Sequence, residues 1–267
     1  MSYPELRIQH LIRDMSVRQK KQRFLRHLRS LTGLLVLLVV WLLFESSAGV
    51  LLPPLGDVIS SIFDLSVRGW LAQDILASVY RVAAGVFLSF LLASLMALVS
   101  VYWKTFPDYV AGGVEVLRPV PPIAWVPLAL VAFGVGDKPA IAIVALGAFF
   151  PIWLGMVQGI RNVNPSHLHA AASLGCNHRL LLTDVILPSA LPDIAHGLRI
   201  GVGLAWFSVV AAEMMGAASG LGYGIQLFSQ NLEISRMYVY LLTIGLLGYF
   251  SNMLLEHISG HLNSWRD

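Results

Sequence analysis

Apolar residues run along this chain in blocks long enough to cross a bilayer, and charges collect between the blocks. A membrane span needs about 20 mostly apolar residues. Six blocks qualify: roughly Leu31–Leu52, Leu76–Tyr102, Tyr109–Gly134, Pro139–Ile160, Ala190–Met215 and Met237–Ile258. The third is interrupted by Arg118-Pro-Val-Pro-Pro122, and proline removes a backbone donor and distorts helices. The pattern predicts an all-α polytopic membrane protein of about six helices. No period of 20–50 residues is evident, so a solenoid is not indicated.

The first thirty residues carry eight Arg and Lys, among them Arg7, Lys20 and Arg29, against Glu5 and Asp14. Such an excess next to a span places the N-terminus in the cytoplasm. Residues 1–30 therefore read as a basic cytoplasmic arm and 31–267 as the transmembrane domain. Nucleic-acid binding is the rival reading of a basic arm, but this one abuts a span and lacks aromatic interleaving. Six crossings put the segment 162–188 on the cytoplasmic side; if Tyr109–Gly134 did not cross, that loop would change sides. No small-residue cleavage site follows the first apolar run, so no removable signal peptide is expected.

The loop is the most informative polar stretch. Asn164 is placed to cap a short helix with Pro165 in its first turn. Gly175 supplies a left-handed residue to end it. Asn177 can cap a second helix, which Pro188 is placed to stop. Two short helices hinged at a glycine form a stiff knob, suited to a groove on a partner. Leu168, Ala171, Ala172 and Leu174 are its expected anchors. The alternative is a helical loop lying at the membrane surface.

Composition narrows the classes further. The chain is 57% hydrophobic and 12% charged, against about 25% charged in soluble domains, so no separate catalytic domain is expected. Cys176 is the only cysteine, which excludes an internal disulfide and a cysteine metal cluster. His167, His169 and His178 lie close in sequence, but no carboxylate completes a ligand set at usual spacing. The glycine-rich Ser219–Gly224 lacks the Lys-Ser/Thr of a phosphate loop; it reads as a tight turn or re-entrant bend at the outer side, or as one strained turn at Gly222. No nucleophile–base pair suggests a membrane enzyme.

The loop resembles the signature of inner-membrane permease subunits of binding-protein-dependent ABC importers: Glu-Ala-Ala, three residues, Gly, nine residues, Ile-x-Leu-Pro. The matching positions are Ala170, Ala171, Gly175, Val185, Leu187 and Pro188, with His169 at the glutamate position. Asn162-Val-Asn-Pro165 and Ser189-Ala-Leu-Pro192 are similar too. Leu117–Asp137 (LRPVPPIAWVPLALVAFGVGD), Gly147–Pro151 (GAFFP) and Ala211–Tyr223 (AAEMMGAASGLGY) resemble the nitrate, sulfonate, taurine and bicarbonate permeases. The resemblance runs from about Leu51 to the C-terminus. It implies the type I importer permease fold in a bacterial inner membrane. It further implies a second permease copy, two cytoplasmic ATPase subunits that bind ATP and Mg, and a periplasmic or lipid-anchored substrate-binding protein. The permease itself is expected to hold no cofactor or metal and to hydrolyse nothing. The loop would be the coupling helix, with Leu168, His169, Ala170, Ala171, Leu174, Gly175, Leu187 and Pro188 as its residues. His169 would leave a charged contact to be replaced.

Charges at membrane depth suggest a path. An isolated charge there costs at least about 2.5–3.5 kcal/mol, so such residues should face water, a partner or the bundle interior. Glu115 and Arg118 lie three apart and can pair. Arg199 and Arg81 lie within other spans. Glu213 would repel an anion, so it is expected to pair with an arginine or help close an outer gate. Irregular backbone at Pro121 and Pro122, followed by Trp125, can line a water-filled cavity; the alternative is a span that simply ends there. The candidate pathway residues are thus Glu115, Arg118, Pro121, Pro122, Trp125, Arg199 and Glu213. The resulting expectation is a permease for a small oxyanion, sulfonate or taurine before nitrate or bicarbonate. The alternative is a stand-alone ion-coupled secondary transporter, against which stand the missing inverted repeat and the scarcity of intramembrane carboxylates.

Overall fold

The computed structural model describes residues 32–33, 35–36, 38–44, 52–103 and 105–262. The basic arm lies outside these residues, as does much of the expected first span, of which helical residues are described between 32 and 44. The described residues are helical with short connections: α1 (Leu55–Val67), α2 (Trp70–Tyr102), α3 (Phe106–Leu117), a 3₁₀ turn (Pro122–Trp125), α4 (Val126–Phe133), α5 (Asp137–Arg161), α6 (Pro165–Ser173), α7 (His178–Gly216), α8 (Leu221–Gln230) and α9 (Ile234–Leu262). Among the described residues four helices are long and apolar enough to span: α2, α5, α7 and α9. The pair α3 and α4, bent by 87°, makes a fifth if counted as one broken span.

The order of contacts fixes helix directions. Arg81 meets Asp137, Ser89 bonds the Ala145 carbonyl, and Ser94 approaches Met156. Both sequences advance together, so α2 and α5 run parallel. Gly159 packs on Ala190, Gly155 on Gly197 and Gly147 on Ser208, so α7 runs antiparallel to α5. Because α2 and α5 are parallel, the chain between them must return from one end to the other. It does so through the bent pair: Asp108 near its start pairs with Arg161, and Gly136 just after it bonds the Gly216 carbonyl. The segment Tyr109–Gly134 therefore does traverse the bundle, broken where the sequence places Arg118–Pro122.

The centre of the fold is the α5–α7 contact, and small residues make it. A Cβ on Gly155 would lie 2.8 Å from the Gly197 Cα and the Asp193 carbonyl oxygen, and one on Gly201 would meet Ile152 at 2.7 Å. Small residues spaced four apart let helix backbones approach, which is how packing arises where lipid removes the hydrophobic drive between helices. Outward faces of α2 and α9 carry exposed leucine and phenylalanine, such as Phe87, Leu95 and Phe250, as lipid contact requires.

One expectation fails here. Pro188 was expected to stop a second short helix, but α7 continues from His178 through Pro188 and Pro192 to Gly216. Residues Leu181–Ile186 form a π-helical stretch in which the Leu187 N–H bonds the Leu182 carbonyl. That wider turn immediately before Pro188 accommodates a residue that cannot donate.

Candidate functional site

The Asn164–Pro188 loop closes one end of the bundle and is built by local caps. The Asn164 side chain accepts from the Ser166 N–H at 2.9 Å, and that of Asn177 from the Leu180 N–H at 2.9 Å. Gly175 has φ +73°, and the Cys176 and Gly175 N–H groups donate to the Ala171 and Ala172 carbonyls. This is the doubly bonded helix end that a left-handed residue permits. The knob is thus one short helix, α6, turned by Gly175 onto the start of the long α7.

The structure divides the loop residues between two tasks. Ala171 is buried and Leu168 lines a cavity with Val157, Ile160 and Ile186, so these two fasten α6 to the bundle. Leu174 is 83% exposed, and His169, Ala170 and Gly175 are exposed beside it. Leu187 is half exposed and Pro188 half-buried on the first part of α7. The outward face is therefore centred on Leu174, with His169 and Ala170.

At the opposite end lies a polar cluster within otherwise apolar packing. Glu213 on α7 is fully buried and Arg81 on α2 nearly so; their side chains meet at 2.7 Å. The Ser78 hydroxyl sits 2.8 and 2.9 Å from the two Glu213 oxygens and accepts from the Leu221 N–H, while the Gly222 N–H donates to Glu213 Oε2 at 2.8 Å. Arg81 also donates to Asp137 and to the Ser219 carbonyl and hydroxyl. Asp74 accepts from the Gly220 N–H and from the Tyr240 hydroxyl. Buried charge is tolerable only with such complete pairing.

Glu213 was expected to pair with an arginine, and Arg81 is that partner. The glycine-rich segment turns at Gly220 (φ +114°), where a Cβ would collide with Glu213 and Arg81 at 2.4 and 2.6 Å. The alternative of one strained turn at Gly222 is not what forms: Gly222 lies in the first turn of α8, against the Val210 carbonyl. Sequence reading missed Asp74, Ser78 and Asp137. The signal was present: Asp74, Ser78 and Arg81 recur at helical spacing on one face of an apolar span.

The expected pathway residues separate. Glu115 and Arg118 line a cavity of about 450 Å³ between α3 and α5, together with Asp108, Trp153 and Arg161. Arg118 and Pro122 also line a second cavity of about 170 Å³ against Gly147, Phe150 and Ile200. The expected Glu115–Arg118 ion pair is not formed; among the described residues neither side chain has a charged partner. Trp125 packs instead on a core cluster of Val126, Ala129, Ala140, Ile143 and Ala212. Pro121 is exposed at the start of the 3₁₀ turn. Arg199 is half-buried on α7 and lines neither cavity. Glu213 is spent on Arg81, far from both.

Comparison with known proteins matches this architecture. The family model described as "Binding-protein-dependent transport system inner membrane component" matches residues 85–264. A probable ABC transporter permease of Brucella abortus (strain 2308) is 34% identical over 227 residues, covering 85% of this chain and 91% of that protein. The taurine transport system permease protein TauC of Escherichia coli (strain K12) is 30% identical over 244 residues, covering 88% and 89%. Among solved structures, a chain of the inward-facing MetNI methionine ABC transporter superposes with a TM-score of 0.63 at 19% identity, covering 74% of this chain and 98% of that one. That likeness establishes the shared fold.

Proposed function

The chain belongs to the family of binding-protein-dependent transport system inner membrane components, a multi-pass ABC importer permease, and we propose that it moves a small oxyanion into the cytoplasm under the drive of two partner ATPases. The observation that carries this is the loop at one end of the bundle. It combines the family's glycine spacing with an outward face at Leu174, His169 and Ala170 and an inward anchor at Ala171. In this reading the loop is cytoplasmic, the N-terminus lies on the same side, and each copy of a permease homodimer offers one loop to one ATPase.

The stiffness of the knob supports a coupling role. Both helix ends at the hinge are closed by hydrogen bonds, and α7 carries the loop directly into the bundle core. A displacement of the loop is thus passed along a continuous 39-residue helix to the far-end cluster at Glu213. Closure of the ATPases on ATP would draw the two loops together and open the bundle toward an external binding protein, which delivers the substrate. The similarity to a taurine permease favours a sulfonate, with nitrate and bicarbonate next. ATP and Mg are held by the partners.

The test is co-expression with the neighbouring ATPase and reconstitution with the binding protein. ATP-dependent uptake of a small oxyanion, lost on a bulky replacement at Gly175, is the expected result. Ion-gradient-driven uptake by this chain alone would establish the secondary-transporter alternative instead.

A further inference from the structure

The far-end polar cluster is short of positive charge. Arg81 supplies its guanidinium, and that group faces Glu213 and Asp137. Asp74, on the same helix, accepts from the Gly220 N–H and the Tyr240 hydroxyl but has no cationic partner among the described residues. A metal ion does not make up the deficit: among the described residues no three His, Cys, Asp or Glu side chains group closely enough to hold one. Asp74 instead lines a cavity of about 220 Å³, and it is the one charged residue among those lining it. Four aromatic side chains share that wall: Trp70 from α2, Tyr223 and Phe228 from α8, and Tyr240 from α9. Gly224 has no room for a Cβ against the Tyr240 ring, and its bareness lets α8 close on α9 there. This cavity shares no lining residue with the two cavities that Arg118 borders, and its wall has no cation to receive an oxyanion.

We propose that this cavity binds a small organic cation, a quaternary ammonium group, which touches α2, α8 and α9 together. Aromatic faces are electrostatically negative and attract a cation within about 6 Å of the ring centroid. Two of these rings already do so: the Arg68 guanidinium lies 5.4 Å from the Trp70 ring and the Arg236 guanidinium 5.7 Å from that of Phe228. Those two charges are met by Asp64 and Glu233, so they leave Asp74 to be neutralised by a ligand. The hydrogen-bond inventory selects the kind of cation. A primary ammonium brings three donors, whereas each Asp74 oxygen already accepts one bond and the Ser219 hydroxyl is engaged by Arg81. A quaternary ammonium brings no donor, so an aromatic wall leaves nothing on it unpaired, and the carboxylate balances its charge. The volume lies below the about 300–1,000 Å³ of drug-sized sites, which suits a trimethylammonium head. A free solute such as choline and a choline lipid headgroup offer the same chemistry. The site is separate from the proposed transport function, since its ligand is not the oxyanion that is carried.

The test measures binding to the full chain in phosphatidylglycerol nanodiscs. The probes are choline and 3,3-dimethylbutan-1-ol, which has the same shape without the charge. Choline is expected to bind about tenfold tighter or more, as a desolvated cation over aromatic faces gives, and tighter than ethanolammonium. Asp74→Asn should remove the preference for choline while leaving the neutral alcohol unchanged. Tyr223→Leu should weaken choline severalfold, and Tyr223→Phe, which keeps the ring, should retain it; this pair carries the test if Asp74→Asn does not fold. A merely structural Asp74 would give a lower melting temperature in Asp74→Asn with the ratio of the two probes unchanged, and that result would overturn the proposal. So would equal binding of the two probes by wild type, binding of neither, tighter binding of ethanolammonium, or choline binding indifferent to Tyr223→Leu. Nanodiscs of phosphatidylcholine separate the two sources. Loss of free choline binding there makes the headgroup the occupant, and undiminished binding makes it the free solute; either upholds the site.

Discussion

Glu213 and Arg81 meet at 2.7 Å with almost no exposure to solvent, joining α7 to α2 at the end opposite the loop. Breaking a buried pair leaves an uncompensated charge, at a cost of about 3–5 kcal/mol. Arg81→Met is therefore expected to lower the melting temperature of the detergent-purified protein sharply. The double replacement Arg81→Met with Glu213→Gln should recover part of the loss, because the two residues share one network. A melting temperature in Arg81→Met within a degree of wild type would contradict the structure.

A close backbone approach lies where α7 packs on α5. Gly155→Ala would push a Cβ to 2.8 Å from backbone atoms of Asp193 and Gly197, which no side-chain rotation relieves. Overpacking of this kind costs about 1–3 kcal/mol. Gly203 has nothing within 4 Å of an added Cβ, so Gly203→Ala is the matched control and should leave thermal unfolding unchanged.

The outward face of the loop is expected to bind the ATPase. Leu174→Asp puts a charge where an apolar contact is proposed, on a residue that is 83% exposed. Its effect on the isolated permease should be within about 0.5 kcal/mol, as for most surface changes. Co-purification of the ATPase should fall by roughly tenfold, the consequence of losing about 1.4 kcal/mol. Retention of the ATPase at wild-type stoichiometry would remove Leu174 from the docking face.

Gly175 offers a separate test of coupling. Its φ of +73° is strained for any side chain, although nothing within 4 Å blocks one. Gly175→Val should cost about 1–3 kcal/mol locally, without a clash in the bundle. Uptake is expected to drop while the helical content by circular dichroism stays the same.

Asp64 lies outside the spans and gives a pH dependence. The hydrogen bond from Arg68 at 2.7 Å, with Arg236 at 2.8 Å, holds its carboxyl below the usual carboxylate range. A depressed value means the carboxylate contributes stability above the ordinary carboxylate range, and that this is lost as the pH falls through the lowered value. Melting curves of wild type and Asp64→Asn should differ near neutral pH and draw together as the pH falls below about 4, the ordinary aspartate value, and on through the lowered one.

Much of this was legible in the linear pattern, for identifiable reasons. The caps at Asn164 and Asn177 and the left-handed Gly175 are formed as expected, because each acts on backbone groups two to five residues away. The bent crossing at Arg118–Pro122 follows from proline chemistry in the same local way. Pro188 misled, because a π-helical turn before it absorbs the missing donor and lets α7 run on. The split among the pathway residues was also invisible. Trp125 and Arg118 look equally poised in sequence, and only the packing of α4 on α5 and α7 sets one, half-buried, against the core and leaves the other on a cavity wall.

The sequence by itself determined the membrane-spanning blocks, the capped loop and the family spacing, since hydropathy and short-range hydrogen bonds depend on near neighbours. The tertiary structure decided which charges meet. Arg81 and Glu213 are 132 residues apart, and their pairing exists only because α2 and α7 pass the same end of the bundle. It also decided which charges do not meet. Glu115 and Arg118 are three residues apart, yet they remain unpaired on the wall of a cavity that α3 forms only by lying against α5.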